Sequence, residues 1–309
     1  MTNLEKTLIA LCTVSIISAG VCVFAVCHHN HDKSRSCGAG RRYRDNNKVK
    51  FSAEFPFEDD FDELVDWNDN VKKTTSWDTK DKLDGDKNVV TETNKLSTAE
   101  YSLIIDKVFL CDMTEGNSNG ASIIIDANGK DSQVSLTTDK NIADEVKVVI
   151  DEKAKTIMLS GEKGRRYNFS KFELKLQTKV NKVGLGGGFN LDFDLGKVDA
   201  FALTVSGGIT GKIKADAAKD FKCSIFGGGD LSLDGSSESL DIRIDGGGQI
   251  SAHNFKTQTA TVVINGAGKG EIHVLKTLKV NICGCGVVLY SGDPQVEKSV
   301  LGVGSVKKL

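Results

Sequence analysis

The sequence predicts an all-β fold: a single-stranded parallel β-helix (β-solenoid) with coils of about 18–20 residues, preceded by a transmembrane helix and a disordered tether. Two observations predict the solenoid. Pairs of glycines recur at nearly constant spacing toward the C-terminus, and apolar residues alternate with polar ones before each pair. A third observation supports the all-β class, because no long helical pattern follows Tyr101.

The N-terminal segment, residues 1–30, carries an uncharged apolar run from Thr7 to Cys27. A run of this length is sufficient for a helix to cross the hydrocarbon core of a bilayer. Val23, Phe24 and Ala25 loosely fit a small-residue cleavage site, so a cleaved signal peptide stays an alternative. The length of the run favours an uncleaved membrane anchor through residues 7–27.

The side of the membrane is left open by two opposing signals. An export or anchor segment places the following domain outside, at the periplasmic or surface face of a bacterial envelope. The positive-inside rule, by contrast, keeps basic flanks in the cytoplasm. Such a flank follows the apolar run, and it consists of Lys33, Arg35, Arg41, Arg42, Arg44, Lys48 and Lys50.

Residues 31–100 form a polar segment, rich in acidic residues, between the anchor and the β domain. It contains stretches such as EDDFDELVDWNDN, with little periodicity and few apolar residues. Such a composition buries too little apolar surface to offset the entropy of ordering. The prediction is a disordered linker.

The β domain is predicted to span residues 101–309, and its repeat is clearest from residue 182 onward. Short runs rich in Val, Ile and Leu, among them YSLIIDKVFL and EVKVVID, alternate with turn sequences such as NGKDS. The residues before successive glycine turns are separated by 20, 19, 20, 18 and 18 residues. They are Val205, Ile225, Ile244, Ile264, Ile282 and Val300. A repeat of this period indicates coils that bury their apolar faces by stacking on one another.

The turn glycines form columns when the coils are aligned. We predict a structural role for them, because a tight corner between stacked coils demands a positive φ or leaves no room for a Cβ. These residues are Gly187, Gly207, Gly227, Gly229, Gly246, Gly248, Gly266, Gly268, Gly284, Gly286, Gly302 and Gly304. A phosphate-binding G-x-G-x-x-G loop would instead precede a helix, and no helical pattern follows these turns.

Three sets of residues in the β domain are candidates for a chemical site. Cys283 and Cys285 have a C-x-C spacing that suits soft metals, but they occupy positions of the turn that vary between coils. A polar column of Asp234, His253, His273 and Ser291 continues into Lys214 and Asp194, as a solvated face would. The carboxylates that a polysaccharide-cleaving β-helix needs are not concentrated in one patch. We therefore predict no catalytic residues, no metal and no cofactor.

The repeated turns GGGDLSLDG, IDGGGQISAHNF and INGAGKGEIHV, and the ending VVLYSGDPQVEKSVLGVGSVKKL, resemble the GIN domain family, known as autotransporter adhesin head domains. The ending contains a Tyr-x-Gly-x-Pro motif at Tyr290, Gly292 and Pro294. The similarity covers residues 182–309 most closely. It implies an exported β-helical envelope domain, for which the family defines no catalytic residues.

Three functions of different classes follow. The first is a membrane-anchored, non-enzymatic binding or structural module of the cell envelope, adhesin-like, with a protein or glycan partner. The second is a membrane-linked sensor or assembly element with a cytoplasmic partner. The third is a carbohydrate-active β-helix enzyme. The net charge of −2 gives no electrostatic basis for nucleic-acid binding.

Self-association through the ends of the solenoid is a further expectation, because an end coil exposes strand edges and apolar surface. Lys298 stands at a core position of the final coil, and Lys307 and Lys308 follow it. Charges at these positions would oppose edge-to-edge pairing.

Overall fold

The computed structural model describes residues 41–45, 48–52, 82–97, 100–105, 120–129, 131–162, 165–217 and 219–309. The chain divides into two units, Met1–Glu58 and Asp59–Leu309. In the first unit, strands β1 (Arg41–Asp45) and β2 (Lys48–Ser52) form an antiparallel pair. The described residues of the second unit form the β domain.

The second unit is almost entirely β-structure, which confirms the predicted all-β class. The one helix among its described residues is α1, Lys140–Glu145. The strands of the N-terminal half are β3 (Lys82–Asp84), β4 (Val89–Lys95), β5 (Tyr101–Ile105), β6 (Ser122–Asp126), β7 (Gln133–Asp139), β8 (Lys147–Asp151), β9 (Thr156–Ser160), β10 (Arg166–Asn168) and β11 (Phe172–Gln177). Those of the repeat are β12 (Val180–Val198), β13 (Phe201–Ala217), β14 (Asp220–Gly266), β15 (Lys269–Gly284), β16 (Val287–Ser291), β17 (Gln295–Gly302) and β18 (Ser305–Lys308).

The repeat folds as a parallel β-solenoid of about six turns, as predicted. Each coil has a first limb, a glycine corner and a second limb; in β13 these are residues 201–205, 206–208 and 209–215. Neighbouring coils pair in register, with Phe201 opposite Phe221 and Val262 opposite Val280. Because every coil hydrogen-bonds to the next, the strands lie about 4.8 Å apart along the stack.

The core runs the length of the solenoid between the two limbs. Alternate residues of each limb point inward, so the first limb of β13 has the pattern buried, half-buried, buried. Three of these residues stack through successive coils: the Phe201 and Phe221 ring centroids are 5.3 Å apart, and those of Phe221 and Phe255 are 4.9 Å apart. Cys223 lies fully buried beside them, and desolvation raises the pKa of its thiol to about 12.

The N-terminal coils do not stack in chain order. The coil formed by β5 and β6 lies directly on β12. The chain then leaves this coil and returns as β9 and β11, which pair in parallel with the outer side of β5 and β6. The later strands are therefore farther from the repeat than the earlier ones.

Antiparallel strands cover the outer edges of this N-terminal end. Strand β8 pairs with β9, β7 pairs with β11, and β4 pairs with β7. Their backbone groups satisfy the edges that the outermost coil would otherwise expose. Strand β3 pairs in parallel with β10. Strands β3 and β4 thus precede Tyr101, the residue at which the sequence placed the start of the β domain.

Among the described residues, no helix has the length and apolar character needed to cross a bilayer. The predicted anchor at residues 7–27 lies outside the described residues, and so does much of the predicted linker.

Candidate binding surface at the glycine corner

The first glycine of each corner lies against the backbone of the preceding coil. Gly207 has φ +146°, and a Cβ built on it would stand 2.1 Å from the carbonyl oxygen of Gly187. The same approach, at 2.1–2.4 Å with φ between +121° and +146°, recurs up the stack at Gly227, Gly246, Gly266, Gly284 and Gly302. Both demands considered from the sequence, a positive φ and no room for a Cβ, therefore act at these positions.

The second predicted column has a different physical basis. Gly268, Gly286 and Gly304 have no positive φ, and a Cβ there would meet an isoleucine methyl group at 2.6–2.9 Å. Gly248 instead approaches the carbonyl oxygen of Gly229 at 3.1 Å. At Gly229 the backbone excludes a side chain, as it does in the first column. Its φ is +146°, and a Cβ would lie 1.9 Å from the carbonyl oxygen of Ile209.

Gly187, in the first of these corners, is the least crowded of the predicted set. Its φ is +130°, but a Cβ would meet only the Phe189 ring, at 3.4 Å. Most side chains at the corner therefore stand in the column immediately before the first glycine. That column runs through Ser206, Phe226, Asp245, Asn265, Cys283 and Leu301.

Four residues on three successive coils form a connected group that we call the corner cluster: Phe226, Arg243, Asp245 and Asn265. The guanidinium carbon of Arg243 lies 5.5 Å from the centroid of the Phe226 ring. Arg243 donates from Nε and Nη2 to Oδ2 of Asp245, at 2.8 and 2.7 Å. Asn265 donates from Nδ2 to Oδ1 of Asp245 at 2.5 Å. The Asp245 carboxylate therefore fixes the guanidinium beside the ring.

Phe226 is the residue of the corner cluster that sequence reasoning missed. It is 40% exposed, and it is the one aromatic among the exposed large hydrophobic residues in the described part of the chain. The signal that would have found it is an aromatic at an outward turn position in a chain that is only 6% aromatic.

The acidic residues on the outer face of the first limbs lie apart from one another. Asp241 and Asp245 are four positions apart on one strand, which corresponds to roughly 13 Å. Desolvation raises the pKa of Asp241, and the nearby charge of Lys222 partly opposes this effect. Asp230 lies across the corner, on the second limb, and is exposed.

The two cysteines of the C-x-C sequence lie at the corner of the penultimate coil as free thiols. Cys283 is half-buried and Cys285 is exposed. Cys283 stacks between Asn265 and Leu301, neither of which is a thiol or imidazole. Within the described ranges, no three His, Cys, Asp or Glu side chains are grouped as a metal site requires.

The structure does not bring the polar column together as the alignment suggested. A bulge between Ala252 and Lys256 shifts the register, so that Lys256, not His253, lies opposite His273. The shift turns the side chain of Phe255 into the core. His273 retains one partner from the column, Ser291, whose hydroxyl lies 3.0 Å from Nδ1.

At the far end of the second limbs, the same face carries ion pairs between coils. Lys212 pairs with Asp192 at 3.4 Å and Lys214 with Asp194 at 3.6 Å. An open groove of about 380 Å³ lies beside the second pair, and Asn128, Lys197 and Asp216 also line it. Exposed pairs of this kind contribute at most about 1 kcal/mol each, as on a solvated face.

A polar network lies at the N-terminal end of the solenoid. The Tyr101 hydroxyl donates to the Glu152 carboxylate at 2.8 Å, and Lys155 pairs with the same carboxylate at 2.7 Å. The hydrogen bond from Lys155, followed by that from Tyr101, lowers the pKa of Glu152 to about 2. Ser97 Oγ lies 2.8 Å from both the Tyr101 hydroxyl and Lys155 Nζ, which ties residues 96–97 to the 152–155 turn.

The fold and its corners define a class of protein: a parallel β-solenoid domain with a repetitive outer surface. More specifically, the chain belongs to the family described as "Putative auto-transporter adhesin, head GIN domain", whose model matches residues 117–294, more than half of the chain. The resemblance seen in the sequence is thereby confirmed.

Solved structures share the fold at low sequence identity. A "putative adhesin" from Bacteroides fragilis has a TM-score of 0.59 at 19% identity, covering 74% of this chain and 100% of its own. A "putative lipid binding protein" from Parabacteroides distasonis has a TM-score of 0.51 at 19% identity, over 74% and 99% of the two chains. A "putative adhesin" from Parabacteroides merdae has a TM-score of 0.50 at 20% identity, with the same coverage. No curated protein sequence matches this chain.

Proposed function

We propose that this protein is an adhesin-like, non-enzymatic binding module of the bacterial cell envelope. The observation that carries the proposal is its membership of the adhesin-head family over residues 117–294. The regular outer surface of the solenoid supports it, because stacked coils offer a long rigid face to a protein or glycan partner. The fold neighbours named as adhesins agree with this reading at the level of fold.

The proposal includes a membrane anchor at residues 7–27 and an outward-facing β domain. Its support is the uncharged run of that segment, which has the length of a bilayer span. The acidic linker that follows would then hold the domain away from the bilayer.

Topology is the property to test first. Intact cells or spheroplasts that express the full chain with a C-terminal tag are treated with protease. Loss of the tag before lysis is the expected result, since the β domain then faces outward. Protection until the membrane is lysed would contradict the envelope location.

The second candidate is a membrane-linked sensor or assembly element with a cytoplasmic partner. The basic flank from Lys33 to Lys50 favours it, since the positive-inside rule retains such flanks in the cytoplasm. A protected tag in the same experiment would make this candidate the leading one.

Self-association is part of the proposal for the C-terminal coil. This coil exposes the apolar side chains of Val296, Leu301 and Val303, and the exposed fraction of Val303 is 74%. Lys298 pairs with Val280 in a column of core residues but is itself exposed. Sedimentation of the detergent-solubilised chain, with and without Lys298→Val, tests whether the charge of Lys298 opposes association through the exposed apolar residues. If Lys298 protects this edge, the variant associates at lower protein concentration than the parent; equal association would contradict a protective role.

A further inference from the structure

We propose that Phe226 and the corner around it form a binding site for a neutral pyranose ring of a glycan. This inference rests on the proposed adhesin-like function and names the chemistry that its surface would recognise.

The Phe226 side chain is exposed to solvent. Exposed apolar atoms are unfavourable in water, so a solvent-exposed ring is stabilised when an apolar surface covers it. The ring lies outside the core, beside glycine positions that carry no side chain, with the Arg243 guanidinium carbon 5.5 Å from its centroid. Pyranose rings have one face made mainly of C–H groups, and an exposed aromatic ring offers that face an apolar surface to stack on.

The preceding coil leaves space beside the Phe226 ring. Ser206 precedes Phe226 by one coil in the same column, and its side chain is small and exposed. Gly207 and Gly208 follow it without side chains. The result is a ledge next to the aromatic ring, with the Ser206 hydroxyl at its edge as a hydrogen-bond donor and acceptor.

The polar group beside the Phe226 ring is preorganised. Two nitrogen atoms of Arg243 donate to the Asp245 carboxylate. Asn265, on the next coil, donates to the same carboxylate. A guanidinium fixed in this way loses little conformational entropy when a ligand binds. Asp245 and Asn265 are therefore positioning residues, whereas Phe226, Ser206 and Arg243 would contact the sugar.

The charge of the cluster selects the ligand class. Arg243 and Asp245 form an ion pair at 2.7 Å and together carry no net charge. An acidic sugar would gain little from a cation that is already neutralised, whereas ring stacking and hydroxyl hydrogen bonds suit a neutral sugar. The site is therefore assigned to neutral pyranosides rather than to uronic or sialic acids.

The test uses the full chain in detergent micelles on an array of neutral gluco-, manno- and galacto-oligosaccharides and their carboxylated counterparts. The strongest oligosaccharide is then titrated in solution against the parent chain and four variants. Phe226→Ala removes the stacking ring, Ser206→Leu fills the ledge, and Phe226→Tyr keeps the ring. Leu275→Ala is the matched control, because Leu275 is 43% exposed but lies away from this corner. Circular dichroism melts show whether each variant is folded.

The expected result is binding of neutral glycans that weakens at least about tenfold in Phe226→Ala and Ser206→Leu. Leu275→Ala should bind as the parent does, and Phe226→Tyr, which keeps the stacking ring, should bind more tightly than Phe226→Ala. Unchanged binding by Phe226→Ala would overturn the site while leaving an adhesin-like function intact. Binding restricted to carboxylated glycans would overturn the assignment of a neutral ligand. Binding to no glycan would overturn the inference as a whole, while the protease experiment still decides the proposed function.

Discussion

Adding one methyl group at Gly207 should disrupt the stacking of two coils, whereas the same change at Gly208 should not. The two residues are neighbours in one turn. Gly207 has φ +146°, and its added Cβ would lie 2.1 Å from the carbonyl oxygen of Gly187, where real contacts stay beyond 3.0 Å. Gly208 has no positive φ, and its nearest neighbour would be the carbonyl oxygen of Gly228 at 3.9 Å.

The size of the effect follows from these contacts. Holding alanine in this region of φ costs about 1–3 kcal/mol. Relieving the overlap requires the two backbones to separate by roughly 1 Å, which weakens one or two ladder hydrogen bonds of about 0.5–1.5 kcal/mol each. Together these contributions predict that Gly207→Ala lowers the free energy of unfolding by about 1.5–6 kcal/mol. Gly208→Ala should raise it by about 0.4–1 kcal/mol, since alanine reduces the entropy of the unfolded chain.

Two measurements check this prediction. Urea unfolding followed by far-UV circular dichroism gives the change in stability, and hydrogen exchange locates it. Exchange should accelerate in the coils on either side of Gly207, because each coil contacts only its neighbours. If the two variants differ in stability by less than about 1 kcal/mol, or exchange is unaltered around Gly207, the account of the glycine column is refuted.

Three further predictions concern the core, the thiols and the N-terminal network. Phe221→Ala should destabilise the domain by about 3–5 kcal/mol in the same urea assay, because Phe221 packs between two other rings; a loss below 1 kcal/mol would contradict that packing. Peptide mapping after alkylation of the native chain should find Cys283 and Cys285 modified and Cys223 protected until urea unfolds it, since burial raises the pKa of the Cys223 thiol to about 12. The folded pKa of Glu152 lies near 2, below its ordinary 4.5, so its stabilisation is complete above pH 4.5 and is lost as the pH falls toward 2. The stability advantage over Glu152→Gln should follow that course, and an advantage that grows below pH 4 would contradict it.

The repeat was predictable because its determinants are local and periodic. The register of each coil is set locally by an alternating strand and the glycine that follows it. Counting residues back from that glycine therefore aligns Phe201 with Phe221. Each corner also requires a residue with positive φ and no Cβ at its first glycine position, and glycine meets both requirements. Where the local pattern changes, as at the bulge after Ala252, the same counting placed His253 in a column that it does not occupy.

The N-terminal half was predictable in class but not in arrangement. Its strands have clear apolar alternation, but nothing in that alternation says that β9 and β11 lie outside β5 and β6. This order depends on pairing between strands distant in sequence, which local patterns do not encode. Strands β3 and β4 could not be predicted from apolar alternation. They lie at the edge, where most of their side chains are polar.

The glycine stack also limits which positions on this surface can carry the side chains that the proposed ligand binding requires. Backbone contacts exclude a Cβ from the first glycine column, and core isoleucines exclude one from most of the second. The position between the two columns is itself glycine in several coils, among them those of Gly208, Gly228 and Gly247. Varied side-chain chemistry at the corner is therefore concentrated in the column just before the first glycines, which holds in turn a hydroxyl, a ring, a carboxylate, an amide, a thiol and an aliphatic group. The strand faces vary mainly in charge and form ion pairs between coils, as Lys212 does with Asp192. Differences in ligand between related solenoids with this corner should accordingly follow the residues of that one column, whereas substitutions along the limbs should alter solubility and stability more than specificity.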